Sequence, residues 1–298
     1  MMDLVQTYNY LLTELSLVSK TDIWQSRDTQ RHRITERSYL KLSAAHWLRL
    51  PAPESRDWLF ISSPYPVLLI TVGYLYFVLY AGPCYMKNRP PYKLRTFILI
   101  YNLFQILANL WLLKLHKDAG WFSHFTEFSV ANCGNHYASY LDAPKVFSTL
   151  WWVYLLKLSD YIETCIFVLR KKQNQVSSLH TFHHVSNVTF AWFFLKYFLD
   201  VRASFFTLLN CFVHVIMYIY YFISAWSPNL QRTISPFKPL LTKLQMIQLL
   251  CMVLPLLQFS NCNVPKGFVA FFIINLIIFL YLFYDFYKKS YTSKQKNN

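Results

Sequence analysis

Residues 203–226 read ASFFTLLNCFVHVIMYIYYFISAW. Twenty-four residues pass without a lysine, arginine, aspartate or glutamate, and about 20 apolar residues are enough for an α-helix to cross a bilayer. The polar side chains inside the run are spaced. Asn210, His214, Tyr218 and Tyr221 recur at i, i+4, i+8 and i+11, which is one stripe along a helix. Ionisable groups are expensive in hydrocarbon and turn toward a protein interior or a water-filled cavity. The stretch therefore predicts a transmembrane helix with an inward polar face, although its tyrosines also suit plain interhelical hydrogen bonding.

Outward from it, six further apolar stretches have a similar length: 66–85, 96–115, 146–169, 179–199, 239–259 and 268–287. The fold class expected is an all-α integral membrane protein with about seven transmembrane helices. The composition agrees. The chain is 55% hydrophobic and 14% charged, whereas soluble domains carry about 25% charged residues. Five glycines, and no GxGxxG or Walker pattern, exclude a phosphate-binding loop of either kind. Six scattered cysteines without a CxxC exclude the usual zinc ribbon and dithiol motifs. The net charge of +15 does not point to nucleic acid, because the cations sit in short runs beside the apolar stretches, where they set orientation. One set of loops and the tail carries fourteen lysines and arginines, in 87–95, 170–172, 232–243 and 288–296; the other carries six, between Lys114 and Lys266. The richer set is expected to be cytosolic, with a cytosolic C-terminus and an N-terminus on the other side.

Three domains follow. Residues 1–56 lack a signal-peptide pattern and a clean period, and read as a disordered or interfacial extension or a gene-model artefact. Residues 57–287 hold the helices. Residues 288–298 form a basic tail, in which Lys294 and Lys296 match a dilysine retrieval signal for the endoplasmic reticulum. On the lumenal side, Cys133 and Cys262 are placed for either a disulfide or two free thiols.

The chemistry concentrates in four stretches. Residues 179–184 read LHTFHH, so His180, His183 and His184 share a helix face at i, i+3 and i+4. Lys157, Asp160 and Thr164 share another, with Glu163 beside them. A buried ion pair contributes little net stability, which favours a role in the site. Thr242, Gln245 and Gln248 recur every three residues and suit either interhelical bonding or substrate contact. Counted from the cytosolic helix ends, these groups reach from about 6 to about 18 Å deep, which describes a pocket open to the cytosol. Only His180, His183, His184 and His214 of the nine histidines fall in it. Four ligands suffice for one metal but not for a diiron centre of the desaturase type. The other chemistry is acyl transfer, in which a neutral imidazole attacks a thioester, a second moves protons, and Asn, Gln and Lys stabilise the oxyanion or enolate.

These residues resemble the fatty acid elongases, the very-long-chain 3-oxoacyl-CoA synthases of the endoplasmic reticulum. Residues 172–184, KQNQVSSLHTFHH, look like that family's basic-NQV-x-x-LHxxHH box; 210–221, NCFVHVIMYIYY, are similar to its NxxxHxxMYxYY; 242–248, TKLQMIQ, resemble TxxQxxQ. Asp57-Trp58, Ser62-Ser63-Pro64, Gly82-Pro83 and Tyr101-Asn102 match its earlier motifs. The resemblance runs from about Asp57 to the C-terminus. It implies six helices in a barrel around a narrow acyl tunnel, with the seventh helix packed at its side. It implies condensation of a long-chain acyl-CoA with malonyl-CoA to 3-oxoacyl-CoA, CO2 and CoA, through an acyl intermediate on His183, with His214 opposite and His180 and His184 orienting and exchanging protons. Lys157, Asp160, Glu163, Gln175, Asn210, Tyr218, Gln245 and Gln248 are the expected substrate-binding residues. It implies no metal or cofactor beyond the two substrates, and as partners membrane lipid, a second copy of the chain, and the reductase and dehydratase of the elongation cycle. Two departures stand out. The family's KxxExxDT appears with its acids exchanged, as Lys157-Leu-Ser-Asp160-Tyr-Ile-Glu163-Thr164, and its Met-Pro after the histidines is Asn187-Val188. A histidine-metal oxidoreductase and a seven-helix receptor or transporter are the competing readings.

Overall fold

The computed structural model describes residues 55, 57–123, 141–259 and 266–292. The expectations for residues 1–54, for a Cys133–Cys262 bridge and for Lys294 and Lys296 fall outside them. Helices carry the fold, and no strand occurs among the described residues. They are α1 (Tyr65–Met86), α2 (Arg95–Asp118), α3 (Ala143–Ser159), α4 (Tyr161–Leu169), α5 (Ser178–Tyr197), α6 (Ser204–Trp226), α7 (Pro228–Ile234), α8 (Lys238–Phe259) and α9 (Lys266–Tyr287).

The distribution of polarity is that of a membrane protein. On α2, Phe97, Ile100, Phe104 and Leu107 are exposed, while Gln105 and Asn109 are buried with Tyr101 and Leu112. On α1, Leu69 is 73% exposed. Water would penalise both arrangements; hydrocarbon favours them. Among the described residues, four helical segments are long and apolar enough to cross a membrane: Tyr65–Met86, Arg95–Asp118, Val201–Trp226 and Val269–Thr292. The other predicted stretches are occupied by α3 with α4, by α5 and by α8, which carry the lysine, carboxylates, histidines and glutamines.

The structure departs from the sequence reading at 146–169, expected as one helix. It divides at Asp160 into α3 and α4, and the Asp160 carboxylate takes side-chain partners from α2, α3 and α6. By contrast α5, which lacks the family's proline, runs unbroken for 20 residues.

Contacts between helices close on themselves: α2 packs on α3, α3 on α5, α5 on α9, α9 on α8, α8 on α6 and α6 on α2. Helix α1 lies against α4. At that contact a Cβ on Gly82 would stand 2.6 Å from Val168 Cγ1 and 2.7 Å from the Phe77 carbonyl, so only glycine lets the backbones approach this closely.

Local signals set the helix ends. Asp142 caps α3, accepting from the Lys145 amide, and the hydrogen bond from the Lys145 side chain holds its carboxyl below the usual range. Ser177 caps α5, accepting from the His180 amide at 3.2 Å, which fixes where the helix starts and so which face the three histidines share. Helix α4 ends with Lys171 at φ 54°, its amide bonded to Val168 O and that of Lys172 to Phe167 O. This left-handed terminus leads the chain into 173–178. At the opposite end of α5, Trp192 Nε1 and Lys196 Nζ donate to the carbonyls of Phe60 and Ser62, which gives the Trp58–Pro64 motif a structural role.

Candidate functional site

From the first turn of α5, His180, His183 and His184 project into the helix assembly. His180 Nε2 lies 3.1 Å from His184 Nε2 and 3.0 Å from Thr164 Oγ1, and Thr164 in turn accepts the Tyr74 hydroxyl proton at 3.0 Å. Thr164 is therefore free to donate to His180. The chain Tyr74–Thr164–His180–His184 ties α1, α4 and α5 together and orients two imidazoles. His183 stands apart from it. Its Nε2 is 2.9 Å from Asn187 Nδ2, and its ring lies 5.4 Å from those of His184 and Phe279.

Across the interior, Lys157 Nζ is 3.4 Å from both Asp160 Oδ2 and His214 Nδ1. A lysine ammonium only donates, so His214 accepts at Nδ1 and keeps its proton on Nε2. Asp160 is 1% exposed. It accepts from Gln105 at 2.9 Å, Lys157 at 3.4 Å and Tyr218 at 3.5 Å, the coordination that an unsolvated carboxylate requires. Gln105 also reaches Tyr101 OH at 2.9 Å.

Two cavities approach this cluster from opposite ends. One, of about 1030 Å³, is the wider and the more polar of the two; Arg95, Arg170, Asn174, Gln175 and Lys238 line it together with Glu163 and Tyr218, among apolar side chains such as Phe167 and Phe286. The other, of about 490 Å³, is mostly apolar and runs between α5, α6, α8 and α9 past Phe190, Phe206, Met252 and Phe272 to Asp200 and Arg202, which pair at 2.9 and 3.0 Å through Nε. Four residues line both cavities: His183, His214, Gln245 and Phe283.

The expected site residues separate between these spaces. His180, His184, Glu163, Gln175 and Tyr218 line the polar cavity; Lys157, Asn210 and Gln248 line the apolar one. Asp160 lines neither and acts on the others from behind. Gln105 escaped the sequence reading, although Tyr101, Gln105 and Asn109 at steps of four already drew a polar stripe on an otherwise apolar helix. Asn187 was visible only as a departure from a motif, and Asn275, on α9 and 8% exposed, only as a lone amide in an apolar run. His116 is a satisfied core histidine, bonded to Leu112 O and Thr207 Oγ1.

Glu163, His180 and His184 bring one ligand atom each within 4.8 Å of one another. Among the described residues this is the grouping able to hold a metal ion. Nitrogen and carboxylate donors of this kind suit zinc or iron, while the same imidazoles are already engaged in the chain to Thr164.

The GNS1/SUR4 (ELO) family profile matches residues 59–298, a span that includes both cavities. A very long chain fatty acid elongase of Aedes aegypti is 35% identical over 246 residues, covering 82% of this chain and 68% of the mosquito protein. Very long chain fatty acid elongase 7 of Drosophila melanogaster is 34% identical over 248 residues, covering 81% and 73% respectively. Human very long chain fatty acid elongase 4 is 34% identical over 242 residues, covering 80% and 76%. With this breadth of similarity and its apolar membrane helices, the chain is a multi-pass membrane protein belonging to the GNS1/SUR4 family of fatty acid elongases.

Proposed function

We propose that this protein is the condensing enzyme of fatty acid elongation, a 3-oxoacyl-CoA synthase that joins a long-chain acyl-CoA to malonyl-CoA. One observation carries the reading: a cationic polar cavity and an apolar cavity meet at His183 and His214. An acyl-CoA has the same division, an anionic nucleotide on one side and a hydrocarbon chain on the other, with the reactive thioester between them. The cations of the wide cavity attract the phosphates, and the apolar cavity takes the chain at about 0.8 kcal/mol per methylene buried. From His183 to the end of α5 at Tyr197 is about 21 Å of helix, room for an extended chain of roughly sixteen carbons.

In the first half-reaction a neutral His183 nitrogen attacks the thioester carbon. A C–N bond forms, the C–S bond breaks, and CoA leaves as a thiolate that takes up a proton. In the second, malonyl-CoA loses CO2, and the electrons of the broken C–C bond become an enolate. Its carbon attacks the acyl-imidazole, the C–N bond breaks and its electrons return to His183. The Nε2 proton of His214, held there by Lys157, stabilises the enolate and the tetrahedral oxyanion. Asp160 keeps Lys157 aimed at His214, while His180, His184 and Glu163 exchange protons with the wider cavity. Gln175, Asn210, Tyr218, Gln245 and Gln248 contact substrate. No metal takes part in this scheme.

The closed circuit of α2, α3, α5, α9, α8 and α6 supports a six-helix barrel in which the last span, α9, takes part and the first, α1, lies outside, where the resemblance had the seventh helix at the side. Charge asymmetry between loops supports a cytosolic C-terminus and opening of the polar cavity to the cytosol, in the endoplasmic reticulum membrane. A homodimer, and contact with the reductase and dehydratase that process the product, belong to the same proposal. Microsomes containing the protein, supplied with labelled malonyl-CoA and C14–C24 acyl-CoAs, are expected to extend at least one of them by two carbons; extension of none overturns the reading. The grouping of Glu163, His180 and His184 favours one alternative, a histidine-metal oxidoreductase, for which purified active protein would contain stoichiometric iron.

A further inference from the structure

The apolar cavity is not uniformly apolar. Asn187 on α5 and Asn275 on α9 both line it. Ring contacts bracket them at one level: His183 meets Phe279 on one side, and Phe190 meets Phe271 and Phe272 on the other. The helices run antiparallel, so side chains on α5 lean toward His183 and those on α9 lean away from it. Asn187 accordingly reaches back to His183 Nε2, at 2.9 Å. Asn275 is 8% exposed and has no hydrogen-bond partner among the described residues. A carboxamide is costly to bury without partners; the cavity's other amides sit on α5, α6 and α8 without a hydrogen bond to Asn275, and Phe272 and Phe279 flank it on its own helix, so its partner is to come from what fills the cavity. A saturated chain would displace water from the amide and return no hydrogen bond. A chain carrying oxygen at that depth would return one.

We infer that Asn275 forms a polar subsite for the acyl chain and that the protein prefers acyl-CoAs bearing a mid-chain hydroxyl. The inference rests on the condensing function proposed above. Asn187 and Asn275 lie one helical turn, about 6 Å, beyond His183 along the cavity. With the lean of Asn275 away from His183, the hydroxyl belongs roughly five to eight carbons from the thioester. An amide able both to donate and to accept suits a hydroxyl, which does the same. Sites built to hydrogen-bond a substrate hydroxyl discriminate strongly against chains lacking it.

The test uses the full chain in microsomes with stearoyl-CoA and a positional series of monohydroxystearoyl-CoAs. Wild-type kcat/KM is expected to peak for a hydroxyl in that window, about tenfold above hydroxyls near the chain end. Asn275→Leu is expected to lower the peak about tenfold and to raise kcat/KM for stearoyl-CoA severalfold, inverting the preference. Asn275→Ser, which keeps a hydrogen-bonding group, is expected to restore part of the peak. Extension of stearoyl-CoA without positional preference overturns the inference and leaves the condensing function standing. A peak that survives Asn275→Leu also overturns it. Extension of no chain at all overturns the condensing function and this inference with it.

Discussion

The two cavities that meet at His183 and His214 are built by opposite means. The polar one draws its walls from helix ends and the connections between them: Arg95 opens α2, Arg170 follows α4, Gln175 lies in the turn before α5 and Lys238 opens α8. The apolar one is enclosed mostly along the lengths of α5, α6, α8 and α9, and only its far end reaches a connection, at Asp200 and Arg202. Helix ends offer unpaired backbone groups and long charged side chains that adapt to a hydrated, variable ligand. Helix middles offer close-packed side chains of fixed volume. Binding of the CoA portion is therefore expected to be soft and salt-dependent, and binding of the acyl chain stiff and length-dependent. The histidines lie where the two regimes join.

Breaking the junction should have the largest effect. His183→Ala removes the proposed nucleophile while leaving both cavities, and activity is expected to fall at least about 10³-fold, as when other nucleophiles are removed. Mass spectrometry of protein incubated with acyl-CoA alone should find the acyl adduct in wild type and not in the variant. Full retained activity would end that assignment.

The exchanged acids give the next largest effect. In the double variant Asp160→Glu, Glu163→Asp the family's order returns, and each carboxylate moves by about one C–C bond, near 1.5 Å. A displacement of about 1 Å can change catalysis by about 10²-fold. Asp160 organises Lys157, Gln105 and Tyr218 in this chain, so kcat should change by roughly tenfold or more. A change confined to KM would show that the acids serve binding alone.

Leu256→Trp tests the stiffness of the apolar cavity. Leu256 lines it and is buried, so a larger ring displaces the far end of the chain. Each methylene that no longer fits forfeits about 0.8 kcal/mol, or roughly fourfold in kcat/KM. The longest substrates should be lost first and the shortest unaffected. Uniform loss at every chain length would mean that the cavity does not measure the chain.

Arg170→Gln is the mildest change. Arg170 is half-buried at the cavity wall, and a cation still in reach of solvent is worth about 0.2–1 kcal/mol, so KM for malonyl-CoA should rise at most about fivefold, with kcat unchanged and the difference shrinking as salt is added. An effect that persists in high salt would indicate a fixed, desolvated contact instead of the soft attraction expected.

Much of this division was legible before any coordinates. The polar stripe Asn210–Tyr221 and the histidines of 180–184 announce inward faces, because a membrane tolerates such groups nowhere else. Those faces do meet at shared cavities. The continuous helix expected over 146–169 instead divides at Asp160, where partners from α2 and α6 draw the carboxylate inward. Gln105 was overlooked because uncharged amides in a span read as interhelical bonding until their partners are known. Asn275 was overlooked for the same reason.

Sequence alone determined that this chain lives in a bilayer, roughly where its helices fall and which side chains are candidates for chemistry, since these follow from hydropathy and helical period within single segments. The tertiary structure decided which nitrogen faces which partner, that two cavities of different polarity converge on His183 and His214, and that carboxamides from α5, α6, α8 and α9, Asn187 and Asn275 among them, line the more apolar one. Those are relations between segments distant along the chain. They depend on packing angles and on the register between helices, which no local pattern encodes.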